Sequence, residues 1–208
     1  ARFQNLYIYD GKTTLRANKF SLYYENSKDF SEFTDKVRME ADLTDSYLSF
    51  ETLGRIAPSL SKNKLSMHLT GLISGTVSNL RSDNLKITSE SGLTYVDLKA
   101  RISGLPHVQE TMAFIDIRHC TTTSLDVAYI ISSVSGSRPI PFLTRMSPLI
   151  KYNFSGRLAG LLDDFVANGT IKSNIGSVYV DVLLKENEVK HGLHLQGKLR
   201  AENLNAGQ

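Results

Sequence analysis

Two stretches, LSMHLTGLISGTVSNL (65–80) and IKYNFSGRLAGLLDDF (150–165), decide how the rest of the chain is read. Gly71 aligns with Gly156, Ile73 with Leu158 and Gly75 with Gly160, each pair 85 positions apart. Downstream, Ile87 matches Ile171, Gly92 matches Gly176 and YVDL (95–98) matches YVDV (179–182), now 84 positions apart, which places a one-residue slip in the intervening turn. Self-similarity at a fixed spacing marks a repeated supersecondary unit. GLHLQGKLRAENL (192–204) resembles the opening of another such block. We therefore read 1–208 as a single elongated β-repeat, with units at 35–110 and 111–190 and a third begun at 191–208.

Within each unit apolar residues alternate with small or polar ones, the period-2 signature of strands with one buried face. Leu65, Met67 and Leu69 alternate with Ser66, His68 and Thr70, and after Gly71 the series resumes at Ile73, Gly75 and Val77. Val96, Leu98, Ala100 and Ile102 follow the same rule, as do Tyr152, Phe154 and Leu158, then Val178, Val180 and Val182, then Leu193, Leu195 and Leu199. FQNLYIYDGKTTLRA near the N-terminus reads as a hairpin turned at Asp10-Gly11. Polar segments such as SNLRSDN and KENEVKHG read as turns between strands.

Two segments depart from alternation. SFETLGRIAPSLSK (49–62) and TSLDVAYIISSV (123–134) each open on Ser or Thr before apolar residues at helical spacing: Leu53, Ile56 and Leu60 in one, Leu125, Tyr129 and Ile130 in the other. Both are expected to be short helices with a hydroxyl cap. SGSRPIPFLTRMSP after the second is expected to be a surface loop.

Composition bounds the function. Hydrophobic residues make up 41% of the chain, enough to build a core. The net charge of +3 is spread without a long run of one sign, which gives no footing for a nucleic-acid partner. A lone Cys120 excludes an intrachain disulfide, and no stretch has the ~20 apolar residues of a membrane-spanning helix. Residue 1 is Ala, and the C-terminus falls inside a patterned segment, so we expect a piece of a longer chain. No phosphate loop, nucleophile elbow or zinc-protease motif occurs, and no catalytic residue, metal site or cofactor is expected. His191 and His194 are three apart and so point to opposite faces of a strand; His119 is read as a surface histidine, and Cys120 beside it as either a packing thiol or a chance surface one. Asp163-Asp164 is read as a turn whose carboxylates bond to backbone NH groups.

An alternating sheet must cover its apolar face, and one short helix per unit is too little to do so. Glycines recurring inside the strands (Gly71, Gly75, Gly156, Gly160, Gly197) suit sharp bending. We therefore expect a mostly β, elongated, strongly curved, U-shaped repetitive sheet of antiparallel type, with an apolar inner face and a few short helices. Its groove would be lined by Leu65, Met67, Leu69, Ile73, Val77, Val96, Leu98, Tyr152, Phe154, Leu158, Val178, Val180 and Val182. Alternation describes a closed sandwich core equally well, and that is the commoner arrangement on pattern alone.

LLDDFVANGTIKSNIGSVYVDVLL (161–184) resembles a recurring signature of TamB-like proteins, a strand pair turned through DF-V-A-x-G-T-x-K and followed by a strand with an internal Asp. LTGLISGTVSNLRSDNLKI (69–87) and TMAFIDIRHCTTTSLDVAYI (111–130) resemble its companion blocks, and together the likeness spans most of residues 35–208. The resemblance implies a non-enzymatic, AsmA-related, bridge-like lipid-transfer protein. Its periplasmic groove would hold phospholipid acyl chains between inner and outer membrane, with an inner-membrane anchor elsewhere in the full-length chain. It also implies an Omp85-class outer-membrane protein as a partner of other parts of that chain. The alternative is a chaperone or scaffold of a translocation and assembly module, offering sheet edges to β-barrel or autotransporter strands. An exposed trough in a truncated piece is also expected to favour self-association.

Overall fold

The structure, a computed structural model, describes residues 1–55, 65–135, 150–161, 164–187 and 192–203. Eleven strands form one antiparallel sheet: β1 (Arg2–Tyr9), β2 (Thr14–Tyr23), β3 (Arg38–Ser49), β4 (Ser66–Thr76), β5 (Asn79–Ser89), β6 (Tyr95–Ser103), β7 (Met112–Thr123), β8 (Lys151–Leu161), β9 (Asp164–Ser173), β10 (Gly176–Asn187) and β11 (Gly192–Glu202). Spatial order equals sequence order, and the sheet is not closed, so β1 and β11 are its edges. The protein is thus mostly β. Two-residue connections make β4–β5, β8–β9 and β9–β10 antiparallel neighbours, because a parallel pair would need a long crossover, whereas β2–β3, β3–β4 and β7–β8 are joined by longer segments that carry the helices.

The first turn forms where the sequence places it. Gly11 takes φ +94°, and Asp10 Oδ1 accepts from the backbone NH groups of Lys12 (3.0 Å) and Thr13 (2.7 Å). The Thr13 and Lys12 bonds hold the Asp10 carboxyl below its ordinary value, since they stabilise only the charged form. Beyond this hairpin, Ala17, Ala41 and Leu43 form a buried cluster against which Leu6, Leu15, Phe20, Leu69 and Ile73 pack.

Helix is sparse: α1 (Phe33–Lys36) after a 3-10 turn at Ser27–Glu32, α2 (Phe50–Leu53) and α3 (Ser124–Ser135). The helix expected over 49–62 is represented by α2; Ile56 and Leu60 lie outside the described residues, as does most of the loop at 135–148. Ser49 at the start of α2 makes no capping bond, contrary to expectation, whereas Thr123 Oγ1 accepts from Asp126 N (3.3 Å) at the start of α3.

The orientation of α3 also differs from the one its apolar spacing predicts. Leu125 and Tyr129 are exposed, and Asp126 and Ala128 are buried. Ser89 Oγ (2.8 Å) at the end of β5, and Ser91 Oγ (2.7 Å) and Thr94 Oγ1 in the β5–β6 connection, all donate to the Asp126 carboxylate. A buried carboxylate must be fully hydrogen-bonded. Satisfying this one sets which side of α3 meets the sheet.

Three turn readings are corrected by the ladder. SNLRSDN is mainly strand, for β5 already begins at Asn79 and only Val77 and Ser78 separate it from β4. Asp164 is not in a turn but starts β9 and pairs with Lys185 of β10 at 3.3 Å; Asp163 is outside the described residues. In KENEVKHG, Lys185–Asn187 belong to β10 and 188–191 are outside the described residues. The one-residue slip between repeats is likewise not in a turn. Gly75 pairs with Leu80 and Gly160 with Phe165, still 85 apart, while Leu69 pairs with Ile87 and Phe154 with Ile171, where the second strand is 84 apart. The extra residue therefore sits inside β5. It is a β-bulge, visible as register shifts on both sides of that strand, between Thr70/Ser74 and between Ser82/Leu85.

Candidate groove face

Residues directly opposite in an antiparallel ladder share a face, so the register assigns every strand residue to one of two sides. One row reads Leu69–Ile87–Val96–Cys120–Phe154–Ile171–Val178–Ala201 from β4 to β11. The next reads Leu85–Leu98–Ile117–Gly156–Gly169–Val180–Leu199, and a third Ser82–Ala100–Ile115–Leu158–Ala167–Val182–Gly197. None of these positions carries a charge. The seven bulge-type shifts between β2 and β8 keep the rows aligned.

Most of the residues expected to line the groove fall on this one side. Met67, Leu69 and Ile73 of β4 are joined through β5 to Val96 and Leu98 of β6, then through β7 to Tyr152, Phe154 and Leu158 of β8, and through β9 to Val178, Val180 and Val182 of β10. Leu65 precedes β4 and is buried where its carbonyl accepts from Phe50 N (2.9 Å). Val77 lies in the β4–β5 turn, on neither strand. The sequence reading missed the alternate strands: Leu80, Leu85 and Ile87 of β5, Ile115 and Ile117 of β7, and Phe165 and Ile171 of β9 complete the face. The bulge hides the alternation in β5, and Gly169 and Ala167 dilute it in β9.

Phe154 shows why glycine recurs here. Gly156 and Gly169 are cross-strand partners, and a Cβ on either would stand 2.8 Å or 2.7 Å from the Phe154 ring and still closer to backbone oxygens of Asn168 (2.2 Å) and Ser155 (2.5 Å). The ring lies against the glycine pair and occupies space their side chains would need. Gly160 (φ +139°) repeats the conformation of Gly75 (φ +118°), which no L side chain adopts without strain.

The other side of the sheet is mixed, with ion pairs and hydrogen bonds beside exposed Leu72, Phe114, Val166 and Leu183. Arg118 bonds to Asp97 and to the Asp83 carbonyl (3.2 Å), and His68 Nδ1 meets Asp45 Oδ1 at 2.7 Å. His119 Nε2 is 2.9 Å from Thr121 Oγ1. Cys120, on the apolar side, is half-buried, and burial pushes its thiol above the ordinary value. His191 is outside the described residues, and His194 takes the register position opposite Lys185. Among the described residues no group of three or more His, Cys, Asp or Glu is placed to hold a metal ion, and no helix is long and apolar enough to cross a membrane. No protein-family model matches the chain, and neither a curated protein nor a solved structure matches it.

Proposed function

We propose that this chain is a periplasmic segment of a TamB-like, bridge-like lipid-transfer protein, whose sheet curls about its apolar side to form an open groove for phospholipid acyl chains. In this reading it is non-enzymatic, and the full-length protein is anchored in the inner membrane and supplies outer-membrane biogenesis. The observation that carries the reading is the set of uncharged cross-strand rows running from β4 to β11. Leu98 and Val182 in those rows are buried although the helices pack mainly at β3, β4 and β7, which is what a sheet bent around that side would produce. An acyl chain leaving a bilayer for water loses ~0.8 kcal/mol per methylene, so a sixteen-carbon tail faces a barrier of about 12 kcal/mol that a continuous apolar wall removes. The wall holds tails without selecting a headgroup.

A second reading, a scaffold for outer-membrane β-strands, is favoured by the unpaired edge of β1, where Tyr7, Ile8 and Tyr9 are all exposed. Photo-crosslinkers at Phe154 and Val180 separate the two in cells. Lipid adducts at those positions are the expected result. Peptide adducts confined to β1 would favour the scaffold, and no lipid adduct at either wall position would overturn the groove. Leu69→Arg and Val180→Arg are expected to keep the far-UV spectrum of the parent while abolishing the adducts, because an open wall tolerates a charge that a closed core does not. Global unfolding of both would instead establish a closed core.

A further inference from the structure

The free edge of β1 repeats an edge that is occupied elsewhere in the same sheet. Asn5-Leu6-Tyr7-Ile8 of β1 matches Asn84-Leu85-Lys86-Ile87 of β5, 79 positions on, and Asn168-Gly169-Thr170-Ile171 of β9 keeps the Asn and the Ile at the same spacing. The pairing with the next strand matches too: Leu6 and Ile8 stand opposite Ala17 and Leu15, as Leu85 and Ile87 stand opposite Leu98 and Val96. β2 then leads through a 3-10 turn into β3, and β6 leads through one at Val108–Glu110 into β7. β1 thus holds the place of β5 and β9 in their units, with one difference. β5 and β9 are covered on their outer edge by β4 and β8, whereas β1 pairs with β2 alone.

Those outer neighbours share a fitted feature. A Cβ on Gly71 of β4 would stand 2.3 Å from the Asn84 carbonyl oxygen, and one on Gly156 of β8 would stand 2.2 Å from the Asn168 carbonyl oxygen. The Asn backbone takes up the space of a side chain there, so glycine alone passes it. Two residues before each glycine, Leu69 and Phe154 stand opposite Ile87 and Ile171. In β5 the Asn84 side chain closes the contact by accepting from Leu72 N, the residue after the glycine, at 3.0 Å. On β1 the same group is idle: among the described residues no side-chain hydrogen bond engages Asn5, which is exposed. Nor is the edge defended. β1 carries one charge, Arg2, and no Lys or Pro to block pairing, while Phe3, Tyr7, Ile8 and Tyr9 are exposed; the other edge, β11, carries Lys198, Arg200 and Glu202.

We propose that β1 receives an added antiparallel strand of the β4 kind, an apolar–x–Gly segment whose apolar residue stands opposite Ile8, whose glycine passes the Asn5 carbonyl, and whose next backbone NH donates to the Asn5 side chain. Main-chain bonds supply the affinity of such an addition and the glycine supplies the selection. Asn5 holds φ +51°, a conformation foreign to a regular strand, which makes the edge selective at that point. In a second copy β4 and β8 are already paired on both sides, so the occupant is a segment that is unpaired before it binds. Whether the apolar side of the sheet is open or closed has no bearing on this edge.

The test is fluorescence anisotropy of a labelled peptide of residues 65–76, with a Lys pair added for solubility, titrated with the whole chain, together with hydrogen exchange on the complex. Slowed exchange is expected in β1 and not in β11. A Gly71→Val peptide is expected to bind at least about tenfold more weakly, since its Cβ meets the Asn5 carbonyl. Asn5→Gly, which keeps the left-handed backbone, is expected to weaken binding about fivefold, the worth of one hydrogen bond, and Asn5→Asp, which keeps an acceptor, to restore it. No binding, equal binding of the two peptides, affinity unchanged in Asn5→Gly, or slowed exchange confined to β11 would each overturn the proposal. Protection of β1 that grows with the concentration of the chain alone would put a second copy on the edge and end it as well. Absence of lipid adducts at Phe154 and Val180 would reject the groove and leave this edge untouched.

Discussion

The units β3–β6 and β7–β10 start alike and diverge in the middle. β3 and β7 are each 12 residues long, lie 74 positions apart and lead directly into α2 and α3. Their bulges coincide, between Leu43 and Ser46 in one and between Ile117 and Cys120 in the other. The next ladder separates them. β4–β5 is interrupted by an extra residue in β5, with Asn84 Oδ1 accepting from Leu72 N (3.0 Å), whereas β8–β9 runs in register over the Gly156–Gly169 pair under Phe154. One repeated pattern thus keeps the same rows on the same side by two different devices, a bulge and a covered glycine pair.

Deleting one residue exposes the difference most strongly. Loss of Thr170 from the regular strand β9 turns part of it over, so that residues of the apolar rows face the opposite side. No cooperative urea transition is expected. Loss of Asn84 makes β5 the length of β9 and is expected to cost only about 1–2 kcal/mol, chiefly the bond from Leu72 N. Equal damage from the two deletions would show that the extra residue is not the bulge.

Side-chain truncation comes next. Phe154→Ala uncovers both glycines and is expected to cost about 3 kcal/mol, while Leu69→Ala at the matching position of the first unit, with no glycine pair beneath it, is expected to cost about 2 kcal/mol, both read by denaturant unfolding. A larger loss from Leu69→Ala would reject the covering role of the ring. The helices differ in the same graded way. Asp126→Ala strips the carboxylate from three hydroxyl donors and is expected to cost about 2–3 kcal/mol, whereas Ser49→Ala at the head of α2, which makes no cap bond, should change stability by under about 0.5 kcal/mol. Helical content on the Asp126 variant checks whether α3 remains ordered.

The smallest effect lies at the β1–β2 turn, outside both units. Because its backbone bonds depress the folded-state pKa, Asp10 adds stability that is full above the unfolded carboxylate value of 3.8 and is lost as pH falls through the lower folded value. Acid should therefore loosen the Lys12 and Thr13 amides first, seen as faster hydrogen exchange, and Asp10→Asn should remove that pH dependence while keeping an acceptor for the turn.

Strand placement was legible wherever alternation was clean: β4, β6, β8 and β10 each carry their apolar residues at every second position, and Asp10-Gly11 names its own turn. β5 was misread because its bulge breaks the period and its polar stretch imitates a loop. α3 was recognised as a helix, but its apolar spacing pointed to the wrong side, since spacing weighs Leu125 and Tyr129 and knows nothing of three hydroxyls waiting for Asp126. On the opposite side of the sheet, Arg81 and Arg101 are 20 positions apart in sequence and become neighbours only through the β5–β6 register.

By itself the sequence determined the β class and the alternation within strands, because these depend on local periodicity and on residues within a strand. The tertiary structure alone decided that eleven strands pair in order into one unclosed sheet, that the slip between repeats is a bulge, and that Phe154 closes over two glycines from different strands. Each of those depends on which residue stands opposite which. Register is a relation between strands, and no single stretch of chain contains it.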